Sequence, residues 1–432
     1  MYTSYIGKKF LKHYNHREKT NFTAKEFFMQ EFFDLFFTDH SHLMHVSNSP
    51  FHYKPGQGAV EMYGSKSLAQ LNELKTSIES NIVYMGNYVG GPAMDMDNTT
   101  SGQITNMTGI LQEEDIYASW IGAALGIGVN GSFVMLIDEE ELLWMLFEGW
   151  ECYRKYLHQT PGLKDKQIET WNGNWICLRL ENPNAADDLL PIEPVEVLGK
   201  LAIPTESWAK VTFMLAKYFS QKQILTAYAY NLSQTNTTLG FVNIFLYEVN
   251  RMFEWRENTF LGEDIILQEN QITRLQTYYN LKTACKMGAI GLKALEPKYL
   301  REFMPKPIGG GKDFVYSANT ANDFQIFKIW LIAMLNKIEL LNLADEVAAA
   351  LKEFAKSDKK GRSIKDQLSK EIRESRSPLQ FIDNLRELQD EVPILADTLS
   401  IVMKEALTMP RDHFPLFLCL IRFQYSYRSA KN

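Results

Sequence analysis

The chain has 432 residues, of which 45% are hydrophobic and 22% are charged. This composition is typical of a globular protein of two or three domains and excludes a fibrous or wholly disordered chain. The formal net charge of −7, from 45 basic and 52 acidic residues, excludes a uniformly basic nucleic-acid-binding surface but not a local basic one.

A capping-box pattern, Thr23 followed by Glu26, predicts the start of a helix near the N-terminus. Pairs of phenylalanines follow at helical spacing: Phe27, Phe28, Phe32, Phe33, Phe36 and Phe37. The spacing gathers them on one broad face, and we interpret this face as part of the core rather than as a base-stacking surface. The histidine-rich segment 39–45 then favours a polar turn over a metal site, because no HExxH helix or cysteine accompanies it.

A second helix is predicted over residues 66–82, and the segment from Gly86 to Gly131 is rich in Gly, Thr, Asn and Asp, which predicts tight turns. Residues 132–137 predict a strand, and 139–157 a long amphipathic helix with acidic residues in its first turn. We expect a polar turn over 167–175 and a strand over 176–180. Four prolines between residues 182 and 204 mark the first candidate domain boundary.

The rest of the chain is predicted to be mostly helical. Helical patterns cover 208–229 and 263–295, and the segment FMPKPIGGGKDF (303–314) marks a second boundary. From 322 to 428 the pattern predicts a bundle of about four or five helices, with helix starts at Ser377-Pro378 and near Pro393. The most apolar stretch, 324–343, is interrupted by charged residues, so we interpret it as a core helix rather than a membrane span.

The predicted fold class is therefore α+β, with a mixed N-terminal region and a C-terminal α-helical bundle. Its domains are an N-terminal α+β region with Gly/Asn/Thr-rich loops (1–204), a central mostly helical region (205–320) and the bundle (321–432).

The cysteine pattern predicts neither a zinc ribbon nor a disulfide framework, because no CxxC pair occurs. The four residues are widely separated: Cys152, Cys177, Cys285 and Cys419. Scattered cysteines suit a reducing compartment, and the basic N-terminus lacks the apolar run of a secretory signal. We expect a cytoplasmic protein that does not engage a membrane.

Two glycine motifs resemble nucleotide-binding loops by letter. Gly126, Gly128 and Gly131 match GxGxxG, but the predicted strand behind them favours a structural turn over the helix that a dinucleotide site needs. The run 309–312 resembles a phosphate-binding loop, yet position 306 is Lys rather than Gly and position 313 is Asp rather than Ser or Thr. What remains is either a loop whose Lys306 and Lys312 contact phosphates or a plain hinge.

Two polar loops carry the side chains that read base edges and hold phosphates. Their members are Asn98, Thr100, Gln103 and Asn106 in one loop and Gln234 and Asn236 in the other. Turn capping is the alternative role for such residues. Two basic runs, 8–25 and 352–376, are either solvated faces or phosphate-facing patches.

The combination of NTTSGQITN (98–106), SQTNTTLGF (233–241), KPIGGGKDF (306–314) and a terminal helical bundle resembles the large subunit of type I CRISPR Cascade surveillance complexes, in the compact and divergent A/B-type branch. The resemblance implies a non-catalytic DNA-binding subunit that recognises the protospacer-adjacent motif, supports R-loop formation and needs no cofactor. The implied partners are other Cascade subunits, CRISPR RNA, target DNA and either a helicase-nuclease or a transposition effector.

From the loop chemistry and this resemblance we predict a nucleic-acid-binding set and no catalytic or metal-binding residue. The set is Asn98, Thr100, Gln103, Asn106, Gln234, Asn236, Lys306 and Lys312. Two other classes stay open: a nucleotide-using or restriction-type defence enzyme built around residues 126–131, and a protein-interaction scaffold.

Overall fold

The computed structural model describes residues 1–46, 48–80, 82, 84–91, 111–182, 192–232, 237–259, 266–356 and 361–431. Its helices are α1 (Tyr2–Glu18), α2 (Ala24–Phe27), α3 (Phe33–Phe36), α4 (Gln57–Tyr63), α5 (Lys66–Ser80), α6 (Glu113–Ala123), α7 (Glu140–Gln159), α8 (Ile168–Glu181), α9 (Trp208–Tyr218), α10 (Leu246–Thr259), α11 (Glu269–Thr273), α12 (Leu281–Lys286), α13 (Leu300–Phe303), α14 (Ala321–Leu335), α15 (Glu339–Lys356), α16 (Arg362–Arg373), α17 (Pro378–Glu391), α18 (Ala396–Thr408) and α19 (Phe414–Lys431). A π-helical turn (Phe28–Phe32) joins α2 to α3.

Five strands form one sheet in the spatial order β1 (Ile127–Val129), β2 (Phe133–Ile137), β5 (Ile224–Asn231), β6 (Thr237–Phe245) and β7 (Ala289–Ile290). A separate hairpin contains β3 (Val195–Val197) and β4 (Lys200–Ala202). Strand β2 is antiparallel to both neighbours, and Met135 stands opposite Ile127 on one side and Ala229 on the other. Helices, a mixed sheet and a C-terminal bundle confirm the predicted α+β class.

The chain divides into two compact units. The first comprises residues 1–218, 222–244 and 281–289, and the second comprises 219–221, 245–280 and 290–432. The division of the sequence into 1–204, 205–320 and 321–432 stays a prediction.

The aromatic N-terminal segment of the first unit is buried, as predicted. Thr23 and Glu26 form the expected capping box, with the Thr23 side chain accepting from the Glu26 amide. All six phenylalanines between residues 27 and 37 are at most 2% exposed. Phe32 stacks on Phe36 with ring centroids 3.9 Å apart, and both rings contact Trp150 edge-on. The phenylalanine face therefore belongs to the core and is closed to nucleic-acid bases.

Residues 167–180 differ from the prediction, because the expected turn and strand are one helix, α8. The side chains that made the segment look like a turn serve packing instead. Asn172 donates from Nδ2 to the carbonyls of Ala124 and Gly126, each at 2.8 Å. Gly173 lets β1 approach, since a Cβ at that position would lie 2.3 Å from the Gly128 oxygen. Tertiary contacts thus override a weak local helix propensity.

Two helical predictions further along the chain are also partly wrong. The helix expected over 208–229 ends at Tyr218, and its second half is the strand β5. Between 263 and 295 only the short helices α11 and α12 form among the described residues. Buried and more exposed residues alternate along β5, which is the two-residue period of a strand. This period is hard to recognise in the sequence, because apolar and aromatic residues occupy both sets of positions.

The second unit contains the predicted bundle, formed by the six helices α14 to α19. Helix α15 packs along α19, and α14 packs against α10 and α19. Helix α17 begins where predicted, with Ser377 accepting from the Gln380 amide and Pro378 at the first helical position. The 324–343 stretch contributes the core of α14, and none of the described helices has the length and hydrophobicity to cross a membrane.

The GxGxxG motif lies in the β1–β2 hairpin, and the expected strand behind it is confirmed. The order is strand, turn, strand, whereas the dinucleotide fingerprint needs a helix directly after the glycines. Gly128 faces α8 so closely that a Cβ there would lie 2.7 Å from the Glu169 carbonyl carbon. This close approach gives the motif a packing role.

Glu169, buried beside this hairpin, makes the stability of the fold sensitive to pH. Burial raises the pKa of its carboxyl from 4.5 to about 7. At a pH between these two pKa values, Glu169 is ionised in the unfolded chain and protonated in the folded chain. The free energy of unfolding therefore falls as the pH rises, by up to about 3 kcal/mol in total.

We therefore expect the free energy of unfolding of Glu169→Gln, relative to that of the wild type, to increase by up to about 3 kcal/mol from pH 4 to pH 8. Denaturant unfolding at both pH values measures this difference. The same change at the exposed Glu151 is the control and should shift the free energy of unfolding by under about 0.5 kcal/mol at either pH. A Glu169 difference that stays constant with pH would contradict the prediction.

Candidate nucleic-acid interface

The predicted nucleic-acid-binding residues fall into two groups. Those in the two polar loops (Asn98, Thr100, Gln103, Asn106, Gln234 and Asn236) lie outside the described residues. Lys306 and Lys312 are described, and both are exposed on one loop of the second unit. We call residues 304–313 the Gly/Lys loop.

The Gly/Lys loop is held in one conformation by its own backbone. The amides of Gly310 and Lys312 donate to the carbonyls of Arg301 and Glu302, at 2.9 and 3.0 Å. Gly309 permits this closure, because a Cβ there would lie 2.3 Å from the Arg301 oxygen. The loop is therefore a compact turn folded back on α13.

Arg422 of α19 donates hydrogen bonds to the residue before the Gly/Lys loop and to residues at its end. Its side chain is 4% exposed. Nη1 donates to the Phe303 oxygen at 3.1 Å, and Nη2 donates to the Gly311 and Lys312 oxygens at 2.9 and 2.7 Å and to Asp313 Oδ1 at 3.1 Å. A buried guanidinium needs such acceptors, since an unpaired buried charge costs several kcal/mol. The terminal helix thus adds side-chain hydrogen bonds to the backbone bonds that close the loop.

The two predicted lysines differ in their pairing. The Lys312 ammonium donates to Glu302 Oε2 at 2.8 Å, although the lysine side chain remains 67% exposed. Lys306 is exposed and its stem packs beside Gly311. Exposed ion pairs contribute little free energy, so a phosphate can replace Glu302 as the partner of Lys312 at small cost.

Arg301 links the loop to two tyrosines that the sequence analysis missed. Its guanidinium donates to both oxygens of the buried Glu296, at 2.9 and 2.5 Å, and these bonds raise the pKa of Arg301. The same group lies 4.5 Å from the ring centroid of Tyr278 and donates to the Tyr279 hydroxyl at 2.9 Å. Arg301 is therefore a permanent cation that positions two aromatic rings.

Exposed aromatic rings accompany these cations. Tyr278 is 51% and Tyr299 is 56% exposed, and the Lys298 ammonium lies 5.1 Å from the Tyr299 ring centroid. Tyr299 has a φ of 73°, a left-handed conformation that costs a non-glycine residue about 1 kcal/mol and is concentrated at functional sites. We call Tyr278, Lys298, Tyr299, Arg301, Lys306 and Lys312 the basic–aromatic cluster.

A charge run in the sequence was the available signal for this cluster. Residues 274–312 contain eight basic and two acidic residues, although the whole chain is acidic. Both acidic residues, Glu296 and Glu302, are paired within the cluster. The glycines and prolines made the loop recognisable in the sequence. The wider basic segment was missed, because the net charge of the whole chain is negative.

The two basic runs that the sequence analysis did identify are partly neutralised. In the N-terminal run, Lys8 and Lys25 pair with Asp115 and Glu113, and Lys9 pairs with Asp138. In the second run, Arg373 pairs with Asp313 and Arg362 pairs with Asp366. These partners leave fewer cations for phosphates than the two sequence segments suggest.

The first unit has its own exposed aromatic surface, beside the 233–236 loop in the sequence. Phe241 on β6 is 65% exposed and Tyr5 on α1 is 49% exposed. The Tyr2 ring joins them, with centroids 5.5 Å from Tyr5, 4.8 Å from Tyr228 and 5.1 Å from Phe241. Exposed rings such as those of Tyr5 and Phe241 are the kind of surface on which unpaired bases stack.

The histidine-rich segment 39–45 forms bends, as predicted. Asp39 caps the start of α5 by accepting from the Ser67 amide at 2.7 Å, and burial lowers the pKa of His42 to about 4. Within the described ranges, no group of three or more His, Cys, Asp or Glu side chains is placed to hold a metal ion.

No protein-family model, curated protein or solved structure matches this chain. The chemistry of the described surfaces is then the basis for assigning a role. The basic–aromatic cluster offers exposed lysines for phosphates and flat rings for bases.

Replacing Arg422 by Met is expected to release the Gly/Lys loop. Three backbone oxygens and Asp313 lose their donor, which should lower the free energy of unfolding by about 3 kcal/mol. Hydrogen exchange at the amides of residues 310–312 should accelerate more than exchange in α15. Arg386→Met removes the same group from an exposed pair with Asp383 and should cost under about 0.5 kcal/mol. Equal effects of the two changes would contradict this role of Arg422.

Proposed function

We propose that the protein is a non-catalytic DNA-binding subunit of an RNA-guided surveillance complex of the CRISPR Cascade kind. One observation carries the proposal: exposed tyrosines and exposed lysines are gathered in the basic–aromatic cluster of a chain whose net charge is −7. Cations with interleaved aromatic rings are the usual surface for single-stranded nucleic acid.

In this proposal the cluster follows the backbone of the displaced DNA strand. Lys298, Lys306 and Lys312 contact successive phosphates, and the rings of Tyr278 and Tyr299 stack on unpaired bases. Stacking tolerates any sequence because every base has a flat face. Such contacts suit a strand that is exposed when the guide RNA pairs with the other strand.

The two polar loops are proposed to read the protospacer-adjacent motif. Their amide and hydroxyl side chains, among them Gln103 and Asn236, can bond to base edges and phosphates in duplex DNA. The exposed rings of Tyr5 and Phe241 on the first unit support a nucleic-acid-facing role for the surface near one of these loops. The guide RNA then supplies the sequence recognition that the protein lacks.

The proposed partners follow from the same role. Other Cascade subunits and CRISPR RNA would present the target DNA, and a helicase-nuclease or transposition effector would be recruited afterwards. The net negative charge of the chain is consistent with a need for these partners, because it disfavours unassisted binding to bulk nucleic acid. We propose that the complex acts in the cytoplasm.

The cluster should be detectable in the purified full-length chain with a single-stranded DNA oligonucleotide. Lys298→Ala combined with Lys306→Ala is expected to weaken binding and to reduce the slope of log affinity against log salt by about 1.4, or 0.7 for each lost phosphate contact. Tyr299→Ala should weaken binding by about 1–3 kcal/mol without changing the salt slope. Fluorescence anisotropy over a salt series measures both quantities.

The matched control is Lys404→Ala combined with Arg386→Ala, which removes two exposed positive charges from other helices of the same unit. Its salt slope should stay within about 0.3 of the wild type, because neither residue belongs to the cluster. If the control and the cluster variant lose affinity equally, binding follows net charge alone and the proposed interface is wrong.

The guided part of the proposal has a separate test. The chain purified with its native partners should carry short RNAs that share a common repeat, and this assembly should bind duplex DNA with a preferred motif. Gln103→Ala or Asn236→Ala should weaken that preference by about 1–3 kcal/mol per lost base contact while leaving the bound RNA unchanged. Unchanged motif preference in both variants would contradict the assignment of the polar loops.

A further inference from the structure

A small pocket of about 230 Å³ lies in the first unit, where the β1–β2 hairpin meets the start of α8. The segment before α9 and the residue after β5 complete its walls. Backbone hydrogen bonds tie these walls together. The Leu232 amide donates to the Ser132 oxygen at 2.8 Å, and the Asn130 amide donates to the Glu206 oxygen at 2.9 Å. The pocket is therefore formed by the fold itself, as ligand sites usually are.

Among the described residues that line this pocket, Glu169 is the only charged one. It is 9% exposed, and the only described donor at its carboxyl is its own backbone amide. Its oxygens are nevertheless not among the fully buried side-chain atoms that lack a partner. An oxygen that has no partner and is not fully buried reaches the accessible surface, so the carboxyl opens onto the pocket.

The Glu169 carboxyl lacks a counter-charge. Burial raises its pKa to about 7, and no described positive side chain lies near enough to lower that pKa. An opposite charge favours the ionised form of a carboxyl and offsets the cost of its burial. The pocket therefore favours a ligand that carries a positive charge.

The remaining lining indicates the shape of that ligand. Ser132, Thr170 and Thr205 contribute hydroxyls, which can accept from N–H donors, and Phe133 and Leu232 contribute apolar surface. The volume is below the roughly 300 Å³ at which sites for drug-sized ligands begin, so one group of side-chain size fits. A primary ammonium on an aliphatic stem has three donors for the polar wall and a stem that can pack on the apolar one.

We propose that this pocket binds a primary ammonium group on an aliphatic stem, with the ammonium donating to the Glu169 carboxylate and the stem packing beside Phe133 and Leu232. The group belongs either to a free aliphatic amine or to a lysine side chain of a partner protein. The chemistry of recognition is the same in both cases.

The test titrates the full-length chain with butylammonium chloride at constant ionic strength and follows the backbone amide signals of Gly128, Ser132 and Thr170 by NMR. The matched ligand is 1-butanol, which has a similar size and no charge. We expect butanol to bind at least about tenfold more weakly, because it leaves the carboxylate without a counter-charge. Equal binding of the two compounds, or no saturable binding of any ammonium compound, would overturn the proposal.

A protein variant locates the site. Glu169→Gln removes the charge, keeps the shape of the side chain and should weaken butylammonium binding at least about tenfold. Because this variant is expected to be more stable than the wild type at pH 8, a loss of binding there does not come from unfolding. Glu151→Gln removes an exposed carboxylate from α7 and should leave binding unchanged. Equal effects of the two variants would show that the amine follows net charge alone, which overturns the assignment.

The pH dependence of binding is a further readout. Since the cation binds the ionised carboxyl, the affinity should rise about tenfold from pH 6 to pH 8, across the Glu169 pKa of about 7. Burial raises the pKa of Tyr153 on α7 and of Tyr230 on β5, so both neighbours stay neutral in this range. Glu206, beside the pocket, is paired with Lys210 at 2.8 Å. An affinity that does not change with pH would contradict the role of Glu169.

Two further ligands distinguish the source of the ammonium group. They are 1,4-diaminobutane and the peptide acetyl-Gly-Lys-Gly-amide, with norleucine in place of lysine as the control for the peptide. Stronger binding of the free amines than of the peptide identifies a free amine as the ligand. Peptide binding of at least equal strength, lost with norleucine and in Glu169→Gln, identifies a lysine side chain. The result is independent of the DNA-binding proposal, because Lys298 and Lys306 lie in the other unit.

Discussion

The Gly/Lys loop, which carries two lysines of the basic–aromatic cluster, is anchored by one buried cation, Arg422. A guanidinium carries five donors in a fixed planar arrangement and keeps its charge when buried, so its surroundings must supply acceptors. For Nη1 and Nη2 those acceptors are the oxygens of Phe303, Gly311 and Lys312 together with Asp313 Oδ1, whereas Nε has no partner among the described residues. These bonds fix the end of the closed loop to α19. Once closed, it folds back on α13, whose Arg301 holds Glu296 and the neighbouring tyrosines.

Features of the fold that are decided by near neighbours in sequence were predictable. The capping box at Thr23 and Glu26, the phenylalanine stripe and the start of α17 at Ser377 each depend on residues within one or two helical turns. Helix α8 was not predictable in this way. Its Asn172 and Gly173 weaken a helix locally and are retained because they contact residues about 45 positions earlier in the chain. Those contacts exist only after the fold has formed.

The candidate interface shows the same division. The Gly/Lys loop could be recognised from its composition, because glycine and proline indicate a turn and lysine indicates a positive charge whatever the rest of the fold. Which cations remain open to a ligand was not visible, since pairing is decided across long distances: Lys8 meets Asp115 more than a hundred residues away. Tyr278 and Arg301 meet through a similar long-range contact. A sequence can show where charges lie along the chain, and only the fold shows which of them are already neutralised.

A local basic cluster on an acidic chain has a physical consequence for the proposed role. At physiological salt, screening limits electrostatic attraction to a distance of about 8 Å, so the cluster attracts a strand only at close range. Beyond that distance the net charge of −7 offers no attraction for nucleic acid. A protein built in this way needs another component to bring the strand to it, and guide RNA pairing would meet that need.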